Sequence, residues 1–210
     1  MQTFRCALLA LFVLPFVGCS DGNDPAGDVT SGVEWQTYQD PLGRYTIELP
    51  VPPPSPPRGN FLISLSPRAT FAVNVALTTP LAEALPAEWQ AFLANPSSHE
   101  AANALLAEHL RQIIHRLKNP STPNRPGENH TVASATAIER EGVPGVDVVM
   151  QLDNGHSYTR RLFLTPEHVY EVIANIGAGE LDPSVTQRVL DSFYVKPRMT
   201  AAAAPPNRTQ

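Results

Sequence analysis

Apolar residues recur at every second position in several stretches of this chain and at every third or fourth position in others, so strands and helices can be placed first. In "RYTIELP" the run Tyr45, Ile47, Leu49 alternates with Thr46 and Glu48, the pattern of a strand with one buried face. The "DPLG" before it is a turn signal. "NFLISLS" and "TFAVNVALTT" predict two more strands, joined by a tight hairpin at "PRA". In the second of them Phe71, Val73, Val75 and Leu77 share one face. Four further strands are predicted at "TVASATAIE", "GVDVVMQL", "SYTRRLFL" and "VYEVIANI", with turns at "DNG" and "TPEH" between the last three. Pairing Leu164 with Val169 sets Phe163 opposite Tyr170 on one side and gathers Leu162, Leu164, Val169 and Ile173 on the other. Both faces are then apolar, and both require cover.

Helices supply that cover. "SHEAANALLAEHLRQIIHRLKN" is the strongest helical pattern, with Leu106, Leu110, Ile113 and Leu117 in one stripe, joined by Ile114. Ser97 or Ser98 is placed to cap its start, and Arg116 and Lys118 suit the negative end of its dipole. "PAEWQAFLAN" predicts a shorter helix on Trp89, Phe92 and Leu93. "DPSVTQRVLDSF" predicts a final one, with Asp182 as cap, Pro183 in the first turn, and Val185, Val189 and Phe193 buried. The expectation is an α+β domain, a central antiparallel sheet with helices on both faces.

Between these elements the 22 prolines mark turns and extended connections. "PVPPPSPP" cannot donate to a sheet ladder and reads as an extended surface connection. Of 210 residues 42% are hydrophobic, enough for one core, and the formal charge is −5 without a Lys/Arg-rich block, which disfavours nucleic-acid binding; no nucleic-acid partner is expected.

The N-terminus has its own pattern. One cation, Arg5, precedes the apolar run "ALLALFVLPFV", which has signal-peptide length and is too short to span a bilayer. It ends in "FVGC", which resembles the lipobox of bacterial lipoproteins, where cleavage between Gly18 and Cys19 exposes a cysteine for lipid attachment. Phe16 stands where Leu is usual. A plain signal peptide with an incidental cysteine is the alternative. Of the two cysteines, Cys6 would leave with the signal, so the mature chain would keep Cys19 alone, with no disulfide partner. Two or three acyl chains there would anchor the chain stably in the membrane. "SDGNDPAGDVTSG" behind it has the composition of a flexible tether. The organisation expected is a signal at 1–18, a tether at 19–34, the domain at 35–197 and a tail at 198–210. Ser20, in place of the Asp that retains many lipoproteins in the inner membrane, favours the outer membrane facing the periplasm.

Taken in order, "GRYTIELP", the middle helix, "EGVPGVDVVMQL", "YTRRLFL", "VYEVIANI" and the closing "VLDSFYV" resemble the PsbP-like family, in its branch of bacterial lipoproteins. The "PG" of Pro144 and Gly145 and the "DSF" after an amphipathic helix carry most of the likeness. That resemblance implies the two-sided sheet read above, used mainly for binding and assembly. It implies no catalytic residues, and nothing in the sequence points to photosynthesis.

Candidate chemistry is sparse. His99, His109 and His115 lie in the long helix without an H-E-x-x-H arrangement and read as exposed histidines. His156 and His168 belong to opposite ends of one strand pair. There is no G-x-S-x-G or S-x-x-K, and His156 and Ser157, as strand neighbours, face opposite ways. No metal site, catalytic residue or cofactor is expected. Arg160 and Arg161 are candidates for an anion or partner contact, although one of them reads as a sheet-face charge paired with Glu171 or another carboxylate. The function expected is a lipid-anchored envelope module that binds or assembles an envelope protein partner. The alternatives are an envelope hydrolase or metal-dependent enzyme with a scattered site, and a periplasmic small-ligand carrier.

Overall fold

The computed structural model describes residues 34–50, 60–66, 69–96, 98–119, 129–177 and 180–196. In chain order these form β1 (Gln36–Gln39), β2 (Tyr45–Leu49), β3 (Phe61–Ser66), β4 (Ala69–Leu77), α1 (Thr79–Ala84), α2 (Pro86–Ala94) and α3 (His99–Lys118). There follow β5 (His130–Arg140), β6 (Val143–Leu152), β7 (Ser157–Leu164), β8 (His168–Ile176), α4 (Pro183–Ser192) and β9 (Tyr194–Val195).

Six strands make one antiparallel sheet in the order β3-β4-β8-β7-β6-β5. Its second half is a meander whose turns follow from single residues. Glu141 and Gly142 have φ of 48° and 79°, as a two-residue type I′ hairpin requires. After β6, Gly155 donates its N–H to the Leu152 carbonyl at 2.9 Å and closes the "DNG" loop. The last hairpin pairs Leu164 with Val169 and Phe163 with Tyr170, the expected register.

Each face of this sheet buries its own layer. On one, Leu162, Leu164 and Val169 meet Leu81, Phe92, Ala102, Leu105 and Leu106, and further along Val148, Met150 and Tyr158 meet Leu110. On the other, Phe71, Val73, Phe163, Tyr170 and Val172 meet Tyr45, Ile47 and Leu49 of β2 and Val189, Leu190 and Phe193 at α4. The fold is therefore the expected α+β arrangement with helices on both faces.

One addition is a three-stranded sheet, β1-β2-β9, lying beside α4 on the second face. β1 is mostly exposed and has no apolar alternation, and β9 has two residues; pairing to β2 defines them, not burial. A second difference lies after β4. The strand stops at Leu77, because Pro80 opens α1 where the strand pattern runs on to Thr79.

Candidate functional site

β7 carries Arg160 and Arg161 side by side, and a strand points neighbours to opposite faces. The two guanidinium groups therefore lie in different layers. Both are buried, with side chains 8% and 6% exposed, which rules out a simple surface role.

Arg160 lies on the face that bears α3. Its Nη1 donates to Oε1 of Glu171, which sits on β8 opposite Leu162, two residue pairs along on the same face. The other Glu171 oxygen, Oε2, accepts from the Asn74 side-chain amide on β4 at 2.8 Å. Arg160 also donates to the Tyr158 hydroxyl from Nε at 3.4 Å and from Nη2 at 3.3 Å, and that hydroxyl lies 2.8 Å from Nδ1 of His130. Burial alone would raise the Glu171 carboxyl. The Arg160 charge, with the Asn74 amide and His109, outweighs burial and holds it below the usual carboxylate range. Burial would lower Arg160 in the same way, and Glu171 and Tyr158 reverse that too.

His109 completes this cluster from α3, and it corrects one sequence expectation. The residue is buried, whereas His99 and His115 are exposed. The inner face of α3 runs through Ala102, Leu105, Leu106, His109, Leu110 and Ile113, so His109 belongs to the apolar stripe itself. Burial depresses its pKa; Glu171 opposes that shift, and Arg116 and Arg160 add to it. Sequence reasoning missed it because a polar residue was read as facing water. Its spacing, three after Leu106 and four before Ile113, was the available signal.

Arg161 faces the α4 layer. Its Nε and Nη2 fork onto the two Asp147 oxygens at 2.6 and 2.7 Å, and its Nη1 donates to Asp191 at 2.8 Å. Asp191 also accepts from Gln187 at 2.7 Å, and Arg140 donates to the Asp191 and Phe193 carbonyls. Arg161 thereby ties β6 to the end of α4. Burial would raise Asp191, but Arg161 and Gln187 hold it below its usual range.

Chemically these are closed sets of charges. An incoming anion would have to displace Glu171 from Arg160, or two carboxylates from Arg161. Among the described residues no group of three or more His, Cys, Asp or Glu side chains is placed to hold a metal ion. His156 bonds to Asn175 near one end of the β7–β8 pair and His168 begins the strand at the other end, so the two do not meet. Gly18 and Cys19, the proline-rich stretch 51–57 and the tail 198–210 lie outside the described residues.

The two stretches that carried the family resemblance do meet. Gly145 lies opposite Phe163, whose ring stacks on Phe193 with centroids 5.9 Å apart. Phe193 is wholly buried among Tyr45, Phe163 and Tyr170, and Ser192 Oγ accepts from the Glu48 N–H at 2.8 Å. "PG" and "DSF" are thus pieces of one packing arrangement.

No protein-family profile matches the sequence, and no curated protein does. Among solved structures the chain is similar to the solution structure of cyanobacterial PsbP (CyanoP) from Synechocystis sp. PCC 6803. The identity is 13%, the match covers 86% of this chain and 99% of that one, and the TM-score is 0.50. At that identity the likeness establishes the fold: this is a PsbP-like α+β domain.

Proposed function

We propose that this protein is a lipid-anchored component of the bacterial cell envelope whose PsbP-like domain binds or helps assemble a protein complex. In this reading Cys19 carries the lipid after cleavage behind Gly18, residues 19–34 hold the domain off the membrane, and the outer membrane facing the periplasm is the location. The observation that carries the module half of the reading is the inward commitment of the polar chemistry. Arg160 binds Glu171 and Arg161 binds Asp147 between neighbouring strands, and Arg161 also binds Asp191 across to α4. They act as struts, which leaves recognition to the outer surface. The space where a carrier would hold an apolar ligand, between sheet and α3, is filled by Leu105, Leu106, Leu110 and Met150. "FVGC" supports the anchor half.

Metabolic labelling with a fatty-acid analogue tests the anchor. Label is expected on the native protein and absent from Cys19→Ala, which should persist as precursor or be recovered in soluble form; equal labelling of both rules out the lipid at Cys19. Crosslinked co-purification from gently solubilised envelopes tests the module. A defined partner held by the wild type and lost on altering exposed residues supports it. Turnover of a substrate that disappears with a single polar substitution and leaves stability intact overturns it.

A further inference from the structure

We propose that β5 is a self-association edge, along which two copies of this chain join antiparallel about a two-fold axis near Thr136 to make one continuous sheet. β5 is the end strand of the six-stranded sheet and among the described residues pairs with β6 alone. Residues 131–137 are all exposed, and their sequence, TVASATA, contains neither charge nor proline. Edge strands are ordinarily guarded by such residues, because an open row of N–H and C=O groups invites another strand. The guard here is one irregularity between Val132 and Ser134, which leaves residues 134–140 in unbroken register with β6.

Several features point to a second copy as the occupant. Antiparallel pairing about Thr136 sets that residue opposite itself, Ala135 opposite Ala137 and Ser134 opposite Ile138. These are small, uncharged pairs, and the next residues outward, Glu139 and Arg140, meet Ala133 and Val132, so no like charges oppose. The flanking charges are arranged for the same symmetry. α3 runs antiparallel to β5: His99 at its start lies 3.0 Å from Glu139, and Leu110, further along, shares a core cluster with Met150, which pairs with Val132. One end of the edge therefore carries Glu100 and Glu139, and the other carries His115, Arg116 and Lys118 in the last turn of α3. A two-fold axis across β5 brings the acidic end of each copy to the basic end of the other.

A recess of about 380 Å³ lined by His99, Ala137, Ile138 and Glu139 opens at this edge. In the dimer it adjoins the second copy's Val132, an apolar side chain 40% exposed in the single chain. One strand pair is smaller than the roughly 1,000 Å² that a persistent interface needs, so exchange between monomer and dimer is expected at micromolar or higher concentration.

The inference rests on β5 and α3 and stands apart from the lipid on Cys19. The test accordingly uses the purified full chain in a Cys6→Ala, Cys19→Ala background, so that an introduced cysteine is the only thiol. With Thr136→Cys, the axis places the two Cα atoms at cross-strand spacing, about 4.5–5.5 Å, within reach of a disulfide. Mild oxidation should give a covalent dimer several-fold above that from Leu42→Cys, which is 75% exposed on a turn of the other sheet. Equal yields from the two would overturn the proposal. Sedimentation of the otherwise unaltered chain should show dimer rising with concentration and falling with salt, and Thr136→Lys should weaken it at least ten-fold without changing thermal unfolding. A chain that stays monomeric throughout, or a dimer indifferent to Thr136→Lys, also refutes it.

Discussion

Gly145→Ala tests the packing that joins β6, β7 and α4. A Cβ built at Gly145 falls 2.4 Å from the Leu162 carbonyl oxygen and 2.8 Å from Cδ1 of Phe163, against ordinary contacts of 3.4 Å or more. The first neighbour is backbone in the middle of a ladder and cannot step aside. The second is a ring that is 1% exposed and stacked on Phe193. One methyl group must therefore push β6 from β7 or expel Phe163 from its stack. Overpacking of this kind costs roughly 1–3 kcal/mol, and an unyielding backbone neighbour puts the expectation at the upper end or above, about 3 kcal/mol. For a domain of this size that is a fall in Tm on the order of 6–12 °C. Urea and thermal unfolding followed by far-UV circular dichroism measure it, and a weakened near-UV aromatic signal should accompany the loss. Gly142→Ala is the control: nothing lies within 4 Å of its Cβ, and only its φ of 79° opposes the change, at about 1 kcal/mol. If Gly145→Ala costs no more than Gly142→Ala, the close approach described here does not constrain the protein.

Further substitutions probe the polar clusters. Glu171→Gln leaves the Arg160 charge buried without its partner and should lower stability by roughly 3–5 kcal/mol in urea unfolding, whereas the double change Arg160→Met, Glu171→Leu should recover most of it. A double variant as unstable as the single would show that the loss is one of packing. Arg161→Met should cost less, about 1–2 kcal/mol, since Asp147 and Asp191 are part-exposed and can turn to water. A loss equal to that of Glu171→Gln would contradict the difference in burial. His109 has a folded pKa depressed below the ordinary 6.5 by burial. The unfolded chain thus binds the proton more readily, and the contribution of His109, full above that value, is lost as pH falls from it towards the folded pKa. Glu171, beside His109, is held below the usual carboxylate range, so unfolding free energies between pH 7 and 5 should decline in the wild type and decline less in His109→Gln. Parallel curves would place the pH dependence elsewhere.

Much of this fold was legible in the sequence because β2, β3 and β4 bury one face and alternate, whereas β7 and β8 are buried on both faces and read as near-continuous apolar runs. The Leu164–Val169 hairpin, the long helix and the Asp182 cap, whose side chain accepts from the Ser184 N–H at 2.7 Å, follow from local rules. β1 and β9 do not, since "QTYQ" and "YV" have no periodicity and are strands only because β2 lies between them. Nor does the join between β4 and β8 follow, a pairing across nearly a hundred residues that no turn specifies. For the charges, the sequence reading paired one of Arg160 and Arg161 with Glu171 or another carboxylate, and Arg160 is that one. Asp147 and Asp191 come from a neighbouring strand and a distant helix, and His109 was hidden because its side chain is polar while its position is apolar.

Adjacent arginines on β7 have a consequence for how the domain holds together. One peptide bond separates Arg160, whose bonds to Glu171 and Tyr158 stay within the sheet beneath α3, from Arg161, which reaches α4 at Asp191, so β7 is shared by both layers. If α4 leaves, Arg161 loses one of its two carboxylates and the strand beneath α3 loosens; if α3 leaves, Arg160 and Glu171 are wetted and the strand beneath α4 loosens. Amide exchange in the two helices is therefore expected to share one opening free energy.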